Sequence, residues 1–357
     1  MEDLVGEPDG LISGSLDRLW NSFEELANNP AGLGVRNIAV QELRNTTESI
    51  SRVGRGFKEL RGRINDDVVR LVGEVNRLTA EVADVNGQII NRRGTEAPNS
   101  LLDKRDAILD SLAELVGSTT TFEGDRATIR IGGVQAVGVT GARLLEVDSA
   151  TNTLSIGGQV LSAGGELGAK NWFANDELLE FHGDFDRWAL EVAAALNAIH
   201  TIGWVDSTAA GDLLVNFNAN DAGATIGINM TGPRRWGVSD TPGPPFPAAS
   251  GLGAQRLADL RTANRGLGFS ATLGDALKIF ALGLANDTAE AARVHEVQEE
   301  VTMALDLQRS SEIGVQLDEE MIDLITYQRA YQAPGRVVTA TDELLDTLIN
   351  RTGVVGR

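Results

Sequence analysis

Between Phe57 and Ile89 the apolar residues fall at Phe57, Leu60, Ile64, Val68, Leu71, Val75, Leu78, Val82, Val85 and Ile89, in alternating steps of three and four. One extra step of four separates Ile64 from Val68. The spacing predicts a helix of roughly 50 Å at about 1.5 Å per residue, carrying a heptad seam whose extra step is a stutter that locally unwinds a left-handed supercoil. Arg70, Glu74, Arg77 and Glu81 interleave opposite charges on its flank, which marks a solvated face rather than a nucleic-acid face. Upstream, Leu11, Leu16, Leu19, Trp20, Phe23 and Leu26 predict an amphipathic helix over residues 11–29, ended by Asn28, Asn29 and Pro30. A second helix is expected from near Gly34, with Val35, Ile38, Val40, Leu43 and Ile50.

NRRGTEAPNS interrupts the pattern at 91–100, after which SLLDKRDAILDSLAELVG restarts a helix with Ser100 as its cap and Gly117 as its stop. From there to residue 164 the period becomes two, punctuated at Glu123-Gly124-Asp125, Gly132-Gly133 and 149–152, which predicts four to six short strands. Helical spacing returns at 165–203 with Phe185, Trp188, Ala189, Val192, Leu196 and Ile199 on one face. Residues 204–250 read as strand and loop, ending in the TPGPPFP run at 241–247, whose prolines exclude a helix interior or a central strand. Helices resume at 251–261 and 270–313.

The last stretch repeats an apolar residue every seventh position at Leu317, Leu324, Tyr331, Val338 and Leu345, with Met321, Tyr327, Leu344 and Leu348 beside them. Asp318, Glu319 and Glu320 suit the electropositive start of such a helix. Pro334-Gly335 interrupts it, at about 3 kcal/mol for proline and about 1 for glycine, so a kink or break is expected there. The fold class expected is α+β: an elongated helical bundle or coiled-coil rod made from discontinuous segments (1–118, 165–203 and 251–313). A β-rich subdomain is inserted at 119–164, a strand-and-loop excursion at 204–250, and 314–357 forms a C-terminal helix.

Composition narrows the function classes. At 357 residues the chain is long enough for two or three domains. A net charge of −20 argues against nucleic-acid binding, because phosphate would be repelled. No run of about 18 apolar residues occurs, and MEDLVGEPDG lacks the basic and apolar parts of a secretory signal, so neither a membrane partner nor standard secretion is expected. The absence of cysteine removes disulfides and thiolate chemistry, and fits either a cytoplasmic protein or one exported unfolded through a narrow channel.

Candidate chemistry is sparse. The three histidines, His182, His200 and His295, lack the local spacing of a zinc motif. His182 with Asp184 and Asp186 is the one grouping that could serve an uncharacterised enzyme as an acid–base or metal cluster, yet acidic pairs such as Asp66-Asp67 and Glu299-Glu300 abound. Gly132-Gly133-Val134 lacks the lysine and following helix of a phosphate loop. The reading is therefore no enzyme, no catalytic residue, no cofactor and no metal.

Several stretches carry a resemblance. GVQLDEEMIDLITYQRAYQA followed by RVVTATDELLDTLIN resembles the C-terminal signature of bacterial flagellar axial proteins. With SFEELANNPAGLGVRNIAVQ, ADVNGQI, SLLDKRDAILDSLAELVG, GGELG, LNAIH and AQRLADLR, it looks most like the hook-associated protein 1 family, the junction subunits between hook and filament. The hook or distal rod type, which shares the C-terminal pattern, is the alternative. The resemblance implies a structural, self-assembling subunit, extracellular in the flagellum after type III export. It implies like subunits, hook protein, the filament-side hook-associated protein and an export chaperone on the C-terminal helix as partners. The assembly interface implied comprises Leu317, Asp318, Glu319, Glu320, Met321, Leu324, Tyr327, Gln328, Tyr331, Gln332, Arg336, Val338, Leu345 and Leu348. Family members begin with an axial helix bearing an ANxNTPGY-like stretch, which this chain lacks. An N-terminal truncation, unable by itself to restore a filament junction, is expected.

Overall fold

The computed structural model describes residues 12–91, 99–205, 208–210, 214–230, 232–240, 250–264 and 271–313. Two compact units are present, residues 1–286 and residues 287–357. The TPGPPFP connector and the whole interval 314–357, with the expected break at Pro334-Gly335, lie outside the described residues.

Helix α1, Ile12–Asn28, buries Leu16, Leu19, Trp20, Phe23 and Leu26, the face its apolar spacing sets out. Asn29 N still donates to Glu25 O at 3.0 Å, but Pro30 has no N–H to continue the ladder and the chain turns. Helix α2 then runs from Leu33 to Ile90 as one piece of 58 residues, about 87 Å at 1.5 Å per residue. The two helices expected there, one from Gly34 and one from Phe57, are thus a single helix. Gly54 and Gly56 lower the local helix propensity, but close packing outweighs that. A Cβ on Gly54 would collide with the backbone of Gly223 and Ala224, and Ser51 Oγ donates to Ala224 O at 2.7 Å.

Two hydrophobic cores share this helix. Ala39, Leu43, Ile50, Val53 and Phe57 belong to the first, with Leu60 and Ile64 packed on its edge; Val68, Leu71, Val75, Leu78, Val82, Val85 and Ile89 belong to the second. The step of four from Ile64 to Val68 therefore falls where the helix passes from one core to the other. Across the second core the seam faces helix α3, Asn99–Val116, through Ile108, Leu112 and Val116, and it also faces strands. Heptad spacing identified the buried side of the helix, but a β-sheet takes a large part of the place expected for another helix. Ser100, the expected cap, is a helical residue of α3, whereas Gly117 does end the helix, at φ 60° with its N–H on Ala113 O at 2.8 Å.

Strands β1 (Thr119–Glu123), β2 (Arg126–Ile131), β3 (Val134–Gly138) and β4 (Gly141–Ala142) form an antiparallel sheet in sequence order. Strands β5 (Leu145–Val147), β6 (Leu154–Ile156) and β7 (Gln159–Val160) form a second one. Ala127, Ile129, Ile131, Val137, Leu145, Leu154 and Ile156 turn toward α2, as alternation requires. Helix α4 (Gly165–Trp172) passes through a π-helical turn, Phe173–Glu177, into α5, Leu178–His200. Small ladders follow, pairing β8 (Trp204–Val205) with β9 (Thr208–Ala209), and β10 (Val215–Asn216) with β11 (Gly227–Ile228) beyond the one-turn helix α6, Ala222–Thr225. After the short turn Pro233–Arg235, α7 (Leu252–Asp259) packs on α1.

The first core is thus drawn from segments far apart in sequence: Phe23, Phe57, Phe185, Trp188, Trp236 and Leu257 all lie in it. Trp236, fully buried, sets its edge to the Phe23 ring at 5.7 Å and donates Nε1–H to Arg36 O at 3.2 Å. Leu273 and Leu277 at the start of helix α8, Leu273–Ile313, close the core, and Trp188 Nε1–H donates to Leu273 O at 2.9 Å.

Candidate functional site

Every residue of the expected assembly interface, Leu317, Asp318, Glu319, Glu320, Met321, Leu324, Tyr327, Gln328, Tyr331, Gln332, Arg336, Val338, Leu345 and Leu348, lies outside the described residues. In the second unit the described residues are the end of α8. There Val294, Val297, Val301, Met303, Leu305 and Leu307 are all exposed, on a helix charged by Arg293 with Glu290 and by His295 with Glu299 at 3.3 Å. A helix with this many uncovered large apolar side chains presents surface that water disfavours.

In the first unit, the side chains that could carry chemistry meet on α5. His182 and Asp186, one turn apart, share a face, and their Nε2 and Oδ2 atoms are 3.6 Å apart. Asp184, expected in this group, is directed away and pairs with Arg187 at 3.0 Å instead. Its place is taken by Asp221, from the turn before α6, whose Oδ1 is 3.8 Å from His182 Nε2. The three donor atoms lie within 4.8 Å of one another. Lys58 of α2 pairs with Asp221 Oδ2, and Gly223 N donates to Asp186 Oδ1 at 2.8 Å. The His182 ring lies 5.9 Å from that of Phe57. Neither Asp221 nor Lys58 carried a sequence signal, since both reach the site only through tertiary packing. His200 is buried against Trp236, its Nε2 3.2 Å from Arg235 O, and so stands apart from His182; His295 is exposed on α8 in the second unit.

Charged contacts also tie the helices together. Lys170 of α4 reaches Asp67 of α2 at 2.8 Å. Its ammonium, together with Arg70, holds the Asp67 carboxyl below the ordinary value of 3.8, and Asp67 raises Lys170. Lys104 of α3 lowers Glu81 of α2 in the same way, across 2.8 Å. Asp148 is held low by the Thr151 and Ala150 N–H groups of its own turn.

Residues 1–214 match the model of the flagellar hook-associated protein FlgK helical domain. The chain belongs to the FlgK family. Residues 308–351 match the C-terminal model of the flagellar basal body rod FlgEFG proteins. Flagellar hook-associated protein 1 of Bacillus subtilis is 26% identical over 421 aligned residues, covering 100% of this chain and 80% of that protein. The protein of the same name in Escherichia coli K12 is 20% identical, with coverages of 98% and 82%. That of Salmonella typhimurium is 23% identical over 64% of this chain and 46% of its own length. The structure of the flagellar hook junction protein FlgK from Burkholderia pseudomallei shares the fold, with a TM-score of 0.55 and 22% identity over 61% of this chain. The alignment spans 42% of that structure. FlgK proteins are structural parts of the flagellum, and this chain is a structural protein rather than an enzyme. No helix among the described residues is long and apolar enough to cross a membrane.

Proposed function

We propose that this chain is a subunit of the junction between flagellar hook and filament, held in place by helix-mediated self-assembly. The observation that carries the reading is the pairing of two matches in one chain: a FlgK helical domain over 1–214 and an axial C-terminal segment over 308–351. The second is described for rod proteins and fits axial subunits generally; the first separates the junction role from the hook or distal rod alternative. The proposed partners are like subunits, hook protein, the filament-side hook-associated protein, and an export chaperone on the C-terminal helix before type III export. The proposed contact face is Leu317, Leu324, Tyr331, Val338 and Leu345, with polar neighbours such as Gln328, Gln332 and Arg336 setting register.

Co-sedimentation with purified hook protein and filament-side hook-associated protein tests this, using the chain as it stands and the chain preceded by the family's N-terminal axial helix. Ordered co-assembly in at least one arm is expected, and Leu324→Asp with Leu345→Asp should abolish it. Failure of both arms to co-assemble, or assembly indifferent to the double substitution, rejects the reading.

A further inference from the structure

We propose that His182, Asp186 and Asp221 form a binding site for a divalent first-row transition ion of the zinc class. Three features of the cluster support it.

The first is the spacing. His182 Nε2 stands 3.6 Å from Asp186 Oδ2 and 3.8 Å from Asp221 Oδ1, too far for the N–H···O distance of about 2.7–3.2 Å. Ligands at about 2.0–2.1 Å from a tetrahedral ion stand roughly 3.4 Å apart, close to the two separations from Nε2. The second is satisfaction. His182 Nε2 and Asp221 Oδ1 are both shielded from water and make no hydrogen bond, although they face one another. Buried polar atoms are seldom left so, and an ion between them would satisfy both.

The third is that each donor group is anchored through atoms other than the one it offers. Lys58 holds Asp221 by Oδ2, which leaves Oδ1 toward His182. The Gly223 N–H holds Asp186 by Oδ1, leaving Oδ2 toward His182. Phe57 packs against the imidazole ring. A Cβ at Gly223 would lie 2.7 Å from the Phe185 ring and 2.8 Å from Asp186 Oδ1, so this anchor needs glycine. Such outer contacts orient metal ligands in advance.

The donor set decides the class. One imidazole with two carboxylates suits zinc and its neighbours, whereas magnesium and calcium take oxygen alone. Three protein ligands leave a fourth position for water. The three side chains lie mostly out of water, at 17%, 16% and 15% exposed, which strengthens the pull of two carboxylates on a cation. Among the described residues, Asp186 and Asp221 face His182 and Lys58 pairs with Asp221; two carboxylates against one ammonium leave this group net negative.

The test is calorimetric titration of the chelator-treated full chain with zinc chloride at neutral pH, with a thermal melt of each sample. One saturable zinc per chain is expected, together with a higher melting temperature. Affinity should fall by about tenfold or more in Asp221→Asn and in His182→Gln. His295→Gln, at the exposed His295–Glu299 pair, should leave binding unchanged, and excess magnesium should not compete. No saturable binding at millimolar zinc, loss of binding in His295→Gln, or full affinity in both cluster variants would each overturn the proposal. Should the variants fail to fold, zinc-edge absorption on the unaltered chain decides: one nitrogen with oxygen ligands is expected, and an all-oxygen shell rejects the site.

Discussion

Asn86 and Ala127 close a two-bond ring: the asparagine Nδ2–H donates to Ala127 O at 2.8 Å, and Ala127 N donates to Asn86 Oδ1 at 3.1 Å. The side-chain amide stands in for the neighbouring strand that β2 would otherwise need at this residue. The device recurs ten residues earlier on α2, where Asn76 pairs with both backbone groups of Leu145, each at 2.8 Å. On α5, Asn197 does the same for Val215 and also accepts from Leu214 N at 2.8 Å.

Asn86→Ala should therefore destabilise the first unit by about 1–3 kcal/mol, because it leaves two buried backbone groups unsatisfied. Chemical denaturation reads the loss. Hydrogen exchange at the Ala127 amide should speed up selectively, whereas an equal change at every strand amide would argue against a local ring.

Helical glycines on α2 should respond in opposite directions. Gly54→Ala would drive a methyl into the backbone of Gly223 and Ala224, which only a shift of α6 could relieve, and should cost about 1–3 kcal/mol. Gly73→Ala meets nothing within 4 Å and should instead gain about 0.5–1 kcal/mol through helix propensity. Paired thermal melts check the contrast; equal shifts of one sign would refute it.

Arg36 is only 1% exposed, and its guanidinium donates to Pro30 O at 2.6 Å and Pro233 O at 3.3 Å, joining the α1–α2 turn to the loop before Trp236. Lysine presents one nitrogen in place of this fork. Arg36→Lys should lose about 1.5–3 kcal/mol, read as an earlier denaturation midpoint by tryptophan fluorescence; an unchanged midpoint would contradict the fork's role.

The Asp67–Lys170 pair makes a pH prediction. Asp67 has its folded-state value depressed, so its contribution is present above 3.8 and is lost as pH falls through the folded value; Lys170 has its value raised, so its share is complete below 10.5 and is lost as pH rises through the folded value. Asp67→Asn should lower the urea midpoint at neutral pH and make no difference well below 3.8. The effect should be small and salt-sensitive, since the Asp67 side chain is 42% exposed. A difference that persists into acid would contradict the pair's role.

Sequence periodicity located the buried faces well, because burial of an amphipathic element must follow its geometric repeat. The repeat puts Val68, Val75 and Val82 on the inner side of a long helix, and they are buried there. What lies opposite them was hidden, since the repeat says which side leaves water and nothing about what covers it. That the helix from near Gly34 and the run from Phe57 are one element is equally hidden, since the close packing of Gly54 on Gly223 and Ala224 exists only in the folded chain. In the His182 group, Asp184 was misplaced by proximity in sequence. Two residues along an α-helix turn through roughly 200°, so it had to point away while Asp186, four along, did not. Asp221 could come only from the folded chain. The asparagine rings were equally invisible, because nothing local distinguishes Asn76 or Asn86 from a solvated polar residue.

One consequence follows from the helix Leu33–Ile90, which belongs to both cores without a linker between them. Rotation of one core against the other would have to wind or unwind this hydrogen-bonded helix, a stiff spring compared with a loop. The stutter at Ile64–Val68 falls where the shaft passes from one core to the other, and Asp67 is tied there to Lys170. A rotary load entering at Phe57 would leave at Val82 with little slip.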